Sequence, residues 1–229
     1  MADVSDIYRD EFRDRVAGGR PRSLLEVGSG EGAFLKTLAG DVPRLCGLDP
    51  NPDNIAALKA QGFEAVLGSA ERLPFADGEF DVVAFSFTPH HLADWDKALG
   101  EAFRVARHSI EILDVWYDET IADQRTAQAL DRWLKAIDRR TGMVHMDTLT
   151  PGAMLAPVIG RRDVTFDYLC RRVAEPANID ETLKLGSDYL AKVGNDNALK
   201  REFDQIIAAA HRDGMTQEGA LLMTIEKRR

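Results

Sequence analysis

Three alternate glycines with two acidic residues beside them are the part of this chain best suited to chemistry. Gly28, Gly30 and Gly32 stand between or beside Glu26 and Glu31. Because glycine has no Cβ atom, a ligand can approach the backbone of such a bend closely. The two carboxylates would repel a pyrophosphate, and they favour a ligand with a cationic part. The segment therefore predicts a site for an adenosine-type ligand that carries positive charge.

This bend must be positioned by a strand before it and a helix after it. The apolar run Leu24–Val27 predicts a buried strand, and Phe34, Leu35 and Leu38 predict an amphipathic helix that stops at Gly40. Strands and helices then alternate as far as residue 116, which predicts parallel pairing and a doubly wound α/β sheet. The further strands expected here are 45–48, 63–67, 80–85 and 110–116, with helices capped by Asn51 and Asp94 between them.

The second half of the chain departs from this alternation. Helices are expected at about 119–140, 179–193 and 198–211, and strands at 164–170 and 220–225. No linker-like composition separates the two halves, so we expect a single domain over residues 1–229. Its core would comprise about 20–117, 163–175 and 217–229, with helical insertions at about 118–160 and 177–214 over the carboxyl edge of the sheet.

Composition narrows the classes of partner. A net charge of −9 argues against a nucleic-acid backbone as the main partner. No run approaches the roughly 20 apolar residues that cross a bilayer, and the N-terminus lacks the pattern of a secretion signal. The two cysteines have no metal-site spacing. We therefore expect a cytoplasmic protein without a metal that acts on a small molecule; the oligomeric state is not indicated.

The candidate ligand site collects the residues at four strand ends, because ligands of open α/β sheets bind beyond the carboxyl ends of the strands. Asp49 lies about twenty residues past the glycines, the usual place for an acid that accepts ribose hydroxyls. The candidates for cofactor binding are Glu26, Gly28, Ser29, Gly30, Gly32, Asp49, Pro50, Ser69, Ala70, Glu71 and Ser86.

Four segments within residues 22–107 follow each other in a characteristic order: LLEVGSGEG, CGLDPNP, GSAERLPFADGEFDVV and SFTPHHLADWDKALGEAFRVAR. With them the chain resembles the class I S-adenosylmethionine-dependent methyltransferases, and more narrowly the branch that is similar to ubiquinone/menaquinone biosynthesis methyltransferases. The resemblance implies a Rossmann-like methyltransferase fold with a mostly parallel, seven-stranded sheet and S-adenosyl-L-methionine as cofactor. It implies that Glu26 and the glycine backbone face the methionine part, that Asp49 binds the ribose, and that Ala70 and Glu71 lie against the adenine.

Two positions depart from that family's pattern. Ser69 stands where the family usually has Asp, which changes the adenine contact. Arg107-His108-Ser109 stands where the family usually has a Pro-Gly-Gly turn, so the entry to the fifth strand is expected to differ.

Methyl transfer from a sulfonium is an in-line displacement, so alignment of the reactants and exclusion of water supply much of the catalysis. A base is useful only when the acceptor must lose a proton. His91 and then His90, just beyond the fourth strand, are the candidate catalytic bases, since imidazole exchanges protons near neutral pH. A structural role for one of the pair is the alternative. His145 is a further candidate, and Tyr8 is a candidate to cover the cofactor.

Three functions fit these patterns. We expect an S-adenosylmethionine-dependent methyltransferase that acts on a small-molecule acceptor. A protein that binds the same cofactor without transferring the methyl group, as a sensor or partner-binding module, is the first alternative. An NAD(P)-dependent oxidoreductase is the second, because Gly28-x-Gly30-x-x-Ala33 also matches the dinucleotide fingerprint.

Overall fold

The structure, a computed structural model, describes residues 4–173 and 175–228, with side chains from Tyr8 onward. Seven strands occur in this part of the chain. They are β1 (Ser23–Val27), β2 (Arg44–Asp49), β3 (Glu64–Leu67), β4 (Phe80–Ser86), β5 (Ala106–Trp116), β6 (Val164–Arg171) and β7 (Gly219–Lys227).

These strands form one sheet in the order β3-β2-β1-β4-β5-β7-β6. The pairings of β1 with β2, β1 with β4, β2 with β3 and β4 with β5 are all parallel. The sheet is mostly parallel and seven-stranded, which confirms the predicted α/β fold class. The strand order reverses between β1 and β4, and a reversal of this kind opens a ligand crevice at the carboxyl ends of the strands.

Helices connect the parallel strands and two of their predicted caps are confirmed. The Asn51 side chain accepts a hydrogen bond from the N–H of Asp53 (2.9 Å), and Asp94 accepts one from Lys97 (3.0 Å). The helices are α1 (Val4–Gly18), α2 (Ala33–Thr37), α3 (Pro52–Ala60), α4 (Trp95–Val105), α5 (Ala122–Arg140), α6 (Pro151–Leu155), α7 (Ile179–Lys192) and α8 (Asn197–Asp213).

Two helices differ from the sequence prediction. The first, α2, ends at Thr37 rather than near Gly40. At this end the Thr37 hydroxyl donates to the carbonyl of Phe34 (2.7 Å). The second, α6, lies after residue 140, between two of the predicted helices, where no helix was predicted. It begins after Thr150, whose hydroxyl accepts from the N–H of Ala153 (3.1 Å), and Pro151 occupies its first position.

The fifth strand begins earlier than predicted. Helix α4 ends at Val105 and β5 starts at Ala106, so Arg107, His108 and Ser109 are strand residues rather than a turn. The pairing with β4 shifts register between the pairs Phe80–Ala106 and Val82–Ser109. The pairing is thus irregular at the entry to this strand.

Contacts group the chain into two compact units. The first comprises the residues up to Asp114, Leu149–Leu169 and those from Leu221; the second comprises Val115–Thr148 and Cys170–Ala220. In the second unit, Trp133 packs on Phe203 with ring centroids 4.8 Å apart, and its indole N–H donates to the carbonyl of Leu199 (3.0 Å). In the described residues, 4–173 and 175–228, no helix has the length and apolar character that a membrane crossing requires.

Candidate active site

The bend between β1 and α2 follows a left-handed path that glycine adopts easily. Gly28, Gly30 and Gly32 have φ angles of 71°, 51° and 80°. A Cβ atom on Gly28 would lie 2.3 Å from the Thr88 side chain, whereas one on Gly30 would meet no heavy atom within 4 Å. Gly28 therefore lets the bend pack closely on Thr88, and Gly30 faces open space in which a ligand can approach the backbone.

Asp49, at the end of β2, is bonded to this bend and to the helix that follows it. Its Oδ2 atom accepts from the N–H of Gly30 (2.8 Å), and its Oδ1 atom accepts from the N–H of Asn51 (2.9 Å) and the amide of Asn54 (3.0 Å). The side chain is buried. A carboxylate offers about four acceptor positions, so roughly one remains for a ligand donor such as a hydroxyl.

Glu26 is a buried acid at the end of β1, with 2% of its surface exposed. Burial raises the pKa of its carboxyl well above the usual range, and nearby Asp49 adds to the rise; the charge of Arg9 and a backbone hydrogen bond from Leu35 oppose it. Its Oε2 atom has no hydrogen-bond partner among the described residues. A buried acceptor left unsatisfied in this way costs about 1–3 kcal/mol.

The unpartnered Oε2 atom of Glu26 and the open space at Gly30 indicate which ligand fits the bend. An unpartnered, buried carboxylate oxygen beside an open glycine bend suits an ammonium group, which would donate to Oε2 and balance its charge. A pyrophosphate at the same place would add negative charge beside Glu26. The bend therefore fits the aminoacyl end of S-adenosylmethionine.

The segment after β3 forms a tight local turn. The Ser69 hydroxyl donates to the carboxylate of Glu71 and accepts from the N–H of Glu71 (3.3 Å). Ala70 between them is buried, and Glu71 is half-buried. The serine at this position thus orients the Glu71 carboxylate, which an aspartate would repel.

The chain is strained where it leaves β4. Phe87 has a φ angle of 52°, which is unusual for a bulky residue, and its N–H donates to the carbonyl of Leu113 (2.7 Å). Thr88 donates to the carbonyls of Ser86 (3.2 Å) and Gly28 (3.3 Å). Strained turns of this kind are typical of functional sites. This one leads the chain into a short 3-10 helix at residues 89–91.

That 3-10 helix brings His90 to a buried carboxylate. The Nδ1 atom of His90 lies 2.5 Å from Oδ1 of Asp114, which is fully buried. His91 is exposed, and the two imidazole rings lie 4.3 Å apart. A carboxylate on Nδ1 sets the orientation and the tautomer of an imidazole, so that Nε2 is the atom that exchanges protons with a substrate. The geometry favours His90 over His91 as a base.

Sequence reasoning missed Asp114. The signal was present, because Asp114 is one of two acids, with Glu111, in the otherwise apolar run from Ile110 to Trp116. A buried acid in a central strand requires a partner. Of the candidates not yet described, Pro50 is exposed after β2, Ser29 is buried in the bend, and Tyr8 is buried in α1.

His145 belongs to the second unit, where its Nδ1 atom lies 2.9 Å from Oδ2 of Asp138. Asp138 also accepts from the hydroxyl of Tyr189 (3.5 Å). The carboxylate of Asp138 is buried. His145 therefore has an acidic partner of its own within that unit.

Comparison with known proteins shows which class this chain resembles. A family model described as a methyltransferase domain matches residues 25–109. The YcgJ protein of Bacillus subtilis, in its crystal structure, shares the fold with a TM-score of 0.65 at 18% identity, over 96% of this chain and 99% of that one. The fold, the acidic glycine bend and the matched segment are thus similar to those of S-adenosylmethionine-dependent methyltransferases.

Relatives by sequence are methyltransferases with named pathways. A ubiquinone/menaquinone biosynthesis C-methyltransferase of Roseobacter denitrificans is 26% identical over 91% of this chain and 80% of its own length. A demethylmenaquinone methyltransferase of Thermus thermophilus is 34% identical over 43% of this chain and 48% of its own length. The chain is therefore similar to methyltransferases whose names refer to ubiquinone and menaquinone, and these matches favour a methyltransferase over the oxidoreductase alternative.

Proposed function

We propose that the acceptor is a small hydroxylated aromatic molecule that must lose a proton as it is methylated. The observation that carries this proposal is the buried pair of His90 and Asp114, because a base helps methyl transfer only when the acceptor has an acidic proton. The names of the two relatives, which refer to ubiquinone and menaquinone, point to the same chemistry. A quinol is such a molecule, since its hydroxyl activates both oxygen and the adjacent ring carbon.

The cofactor would lie across the carboxyl ends of β1, β2, β3 and β4. In this proposal Glu26 accepts from the ammonium group, and the backbone at Gly30 faces the methionine chain. Asp49 uses its remaining acceptor position for a ribose hydroxyl. The remaining cofactor contacts are proposed for Gly28, Ser29, Gly32, Pro50, Ser69, Ala70, Glu71 and Ser86.

The bound cofactor supplies a methyl group on a sulfonium, whose leaving group is a neutral thioether that requires no acid. His90 accepts the hydroxyl proton of the acceptor at Nε2, and Asp114 stabilises the resulting imidazolium at Nδ1. The electron pair released on the acceptor forms the new bond to the methyl carbon as the carbon–sulfur bond breaks. The proton is thus on His90 after the transfer.

Transfer of a tritiated methyl group tests this proposal. We expect label to enter a 1,4-naphthoquinol but not 1,4-dimethoxynaphthalene, a matched control whose oxygens carry no proton. Labelling of the dimethoxy compound at the same rate would contradict the need for a base. Binding of S-adenosylhomocysteine without label in the quinol or in a metabolite extract would favour the non-catalytic sensor.

The sequence expectations about location and partners stay proposals. The net charge of −9 supports the absence of a nucleic-acid partner. A cytoplasmic location remains a prediction.

A further inference from the structure

A cavity of about 960 Å³ lies at the amino ends of the parallel strands, and all the residues that line it belong to the first unit. Among them, Arg22 precedes β1, Asp81 is the second residue of β4, and Arg107 is the second residue of β5. Because these strands are parallel, the residues proposed for the cofactor lie at the opposite edge of the sheet. The volume is in the range of small-molecule sites.

Basic side chains are concentrated in this cavity, although the chain as a whole has a net charge of −9. Arg107 and His108 stand where the family that this chain resembles usually has a neutral Pro-Gly-Gly turn, so this chain adds both bases to the cavity. The full set of basic residues in the lining is Arg15, Arg20, Arg22, Arg107, His108 and Lys227.

Four carboxylates also line the cavity, and three of them already have partners. Glu111 is buried, and its two oxygens accept hydrogen bonds from hydroxyl groups (2.9 and 2.6 Å). Asp167 pairs with Arg15. Asp81 is buried and bonded to the arginine-rich wall, as described next. Only the exposed Glu226 therefore opposes an anion with a carboxylate that has no partner among the described residues.

Asp81 holds two of the arginines in place. Its Oδ1 atom accepts from the guanidinium of Arg107 (2.8 Å), and its Oδ2 atom accepts from the backbone N–H of Arg22 (2.8 Å). A buried carboxylate bonded in this way fixes the direction of the groups that donate to it.

Arg20 and Arg22 have guanidinium groups that the protein itself does not use. Both side chains are exposed, and in the described part of the chain no carboxylate pairs with either. Arg20 has a φ angle of 49°, in the left-handed region that a residue with a Cβ atom rarely adopts. Strain of this kind is retained where the position of a side chain serves a function. The cavity therefore offers two uncommitted guanidinium groups beside a third that Asp81 orients.

We propose that this cavity binds a soluble phosphorylated small molecule, with Arg20, Arg22 and Arg107 donating to its phosphate oxygens. The planar fork of a guanidinium donates two parallel hydrogen bonds to a phosphate and keeps its charge at any working pH. The volume leaves room for a molecule larger than the phosphate group itself. Since the cofactor is proposed for the other edge of the sheet, the occupant is a second ligand, distinct from cofactor and acceptor.

Calorimetry with inorganic pyrophosphate at constant ionic strength tests the assignment. We expect the wild-type protein to bind this probe with a Kd of about 1 mM or below, and Arg20→Gln/Arg22→Gln to bind it at least about 10-fold more weakly. Arg162→Gln/Arg201→Gln is the matched control. It removes the same charge from two exposed arginines that do not line the cavity, so the affinity should not change.

Arg20→Gly separates binding from folding. Glycine adopts a left-handed angle without strain, so this variant should unfold at a urea concentration no lower than the wild-type protein while it binds pyrophosphate more weakly. A loss of stability together with the loss of binding would show that Arg20 supports the fold, and the assignment would fail.

Four further outcomes overturn the proposal. They are an absence of pyrophosphate binding by the wild-type protein, and equal losses in the two double variants, which would indicate attraction by net charge alone. Competition between pyrophosphate and S-adenosylhomocysteine would place the probe in the cofactor crevice instead. Cosedimentation with phosphatidylcholine vesicles that contain phosphatidic acid, abolished by pyrophosphate, would assign the arginines to a lipid head group rather than to a soluble ligand.

Discussion

His90 and Asp114 lie 2.5 Å apart although they are 24 positions apart in the chain. Parallel pairing explains this contact. Ser86, the last residue of β4, is in register with Leu113 of β5, so Asp114 lies level with the segment that leaves β4. The pair therefore joins the ends of two neighbouring strands at the carboxyl edge of the sheet, where an α/β enzyme binds its substrate.

Replacing Asp114 tests its role as a positioning residue. Asp114→Asn should lower kcat about 100-fold or more on a hydroxylated acceptor, because the amide can hold the wrong tautomer of His90. The dissociation constant for S-adenosylhomocysteine should not change.

The neighbouring histidines provide a matched comparison. His90→Gln should reproduce the loss of kcat, and His91→Gln should have a much smaller effect because His91 is exposed. A larger loss in the His91 variant, or an unchanged kcat in Asp114→Asn, would contradict the assignment of the base to His90.

Local features of this fold were predictable because their causes are local. The Asn51 and Asp94 caps depend on side chains that bond to backbone two or three positions away. The glycine bend depends on backbone angles at Gly28, Gly30 and Gly32. Such features can be inferred from a short segment without knowledge of the sheet.

Features that depend on distant segments were missed. Strand β5 starts at Ala106 because Ala106 pairs with Phe80 of β4. The residues that follow, Arg107-His108-Ser109, have no local pattern that predicts a strand. The partnership of Asp114 with His90 requires the alignment of β4 with β5. The guanidinium carbon of Arg9 lies 5.8 Å from the centroid of the Phe87 ring, and this contact likewise depends on how α1 packs against a distant segment.

Cofactor affinity should depend on pH through Glu26. Burial raises the pKa of this carboxyl, so the free protein binds a proton there at pH values where an exposed glutamate is ionised. A bound ammonium favours the ionised form, so binding releases a proton and affinity rises with pH until the raised pKa is passed. Calorimetry at pH 5.5 in two buffers of different ionisation enthalpy measures this release.

Glu26→Gln is the variant that separates this effect from other titrations. It should bind S-adenosylhomocysteine more weakly and without the proton release, because the amide is neutral at every pH. Proton uptake by the wild-type protein, or an equal release by the variant, would be inconsistent with an ammonium at Glu26.

A second buried glutamate should affect stability rather than binding. Glu111 accepts from the hydroxyls of Thr224 (2.6 Å) and Ser109 (2.9 Å), and burial raises its pKa from the usual range. The folded state therefore binds the proton more tightly than the unfolded state. This contribution to the free energy of unfolding is fully present below the unfolded pKa and is lost as pH rises through the folded pKa.

Urea unfolding of Glu111→Gln at pH 4.5, 6.0 and 7.5 measures that loss. The wild-type protein should lose stability relative to the variant as the pH rises. Glu64→Gln is a control of opposite sign, because hydrogen bonds from Arg44 lower the pKa of Glu64 and its contribution is lost as pH falls. Parallel pH dependences for the two variants would contradict both assignments.

Gly30→Ala tests whether a ligand occupies the space above the bend. A Cβ atom here meets no heavy atom of the protein within 4 Å, so the variant should lose only the roughly 1–2 kcal/mol of stability that a left-handed alanine costs. Gly40 has the same open surroundings and a φ angle of 94°, so Gly40→Ala is a matched control for strain. We expect both variants to unfold at similar urea concentrations, but only Gly30→Ala to lose affinity for S-adenosylhomocysteine, by about 10-fold or more. Equal affinities would mean that the cofactor does not approach the backbone at Gly30.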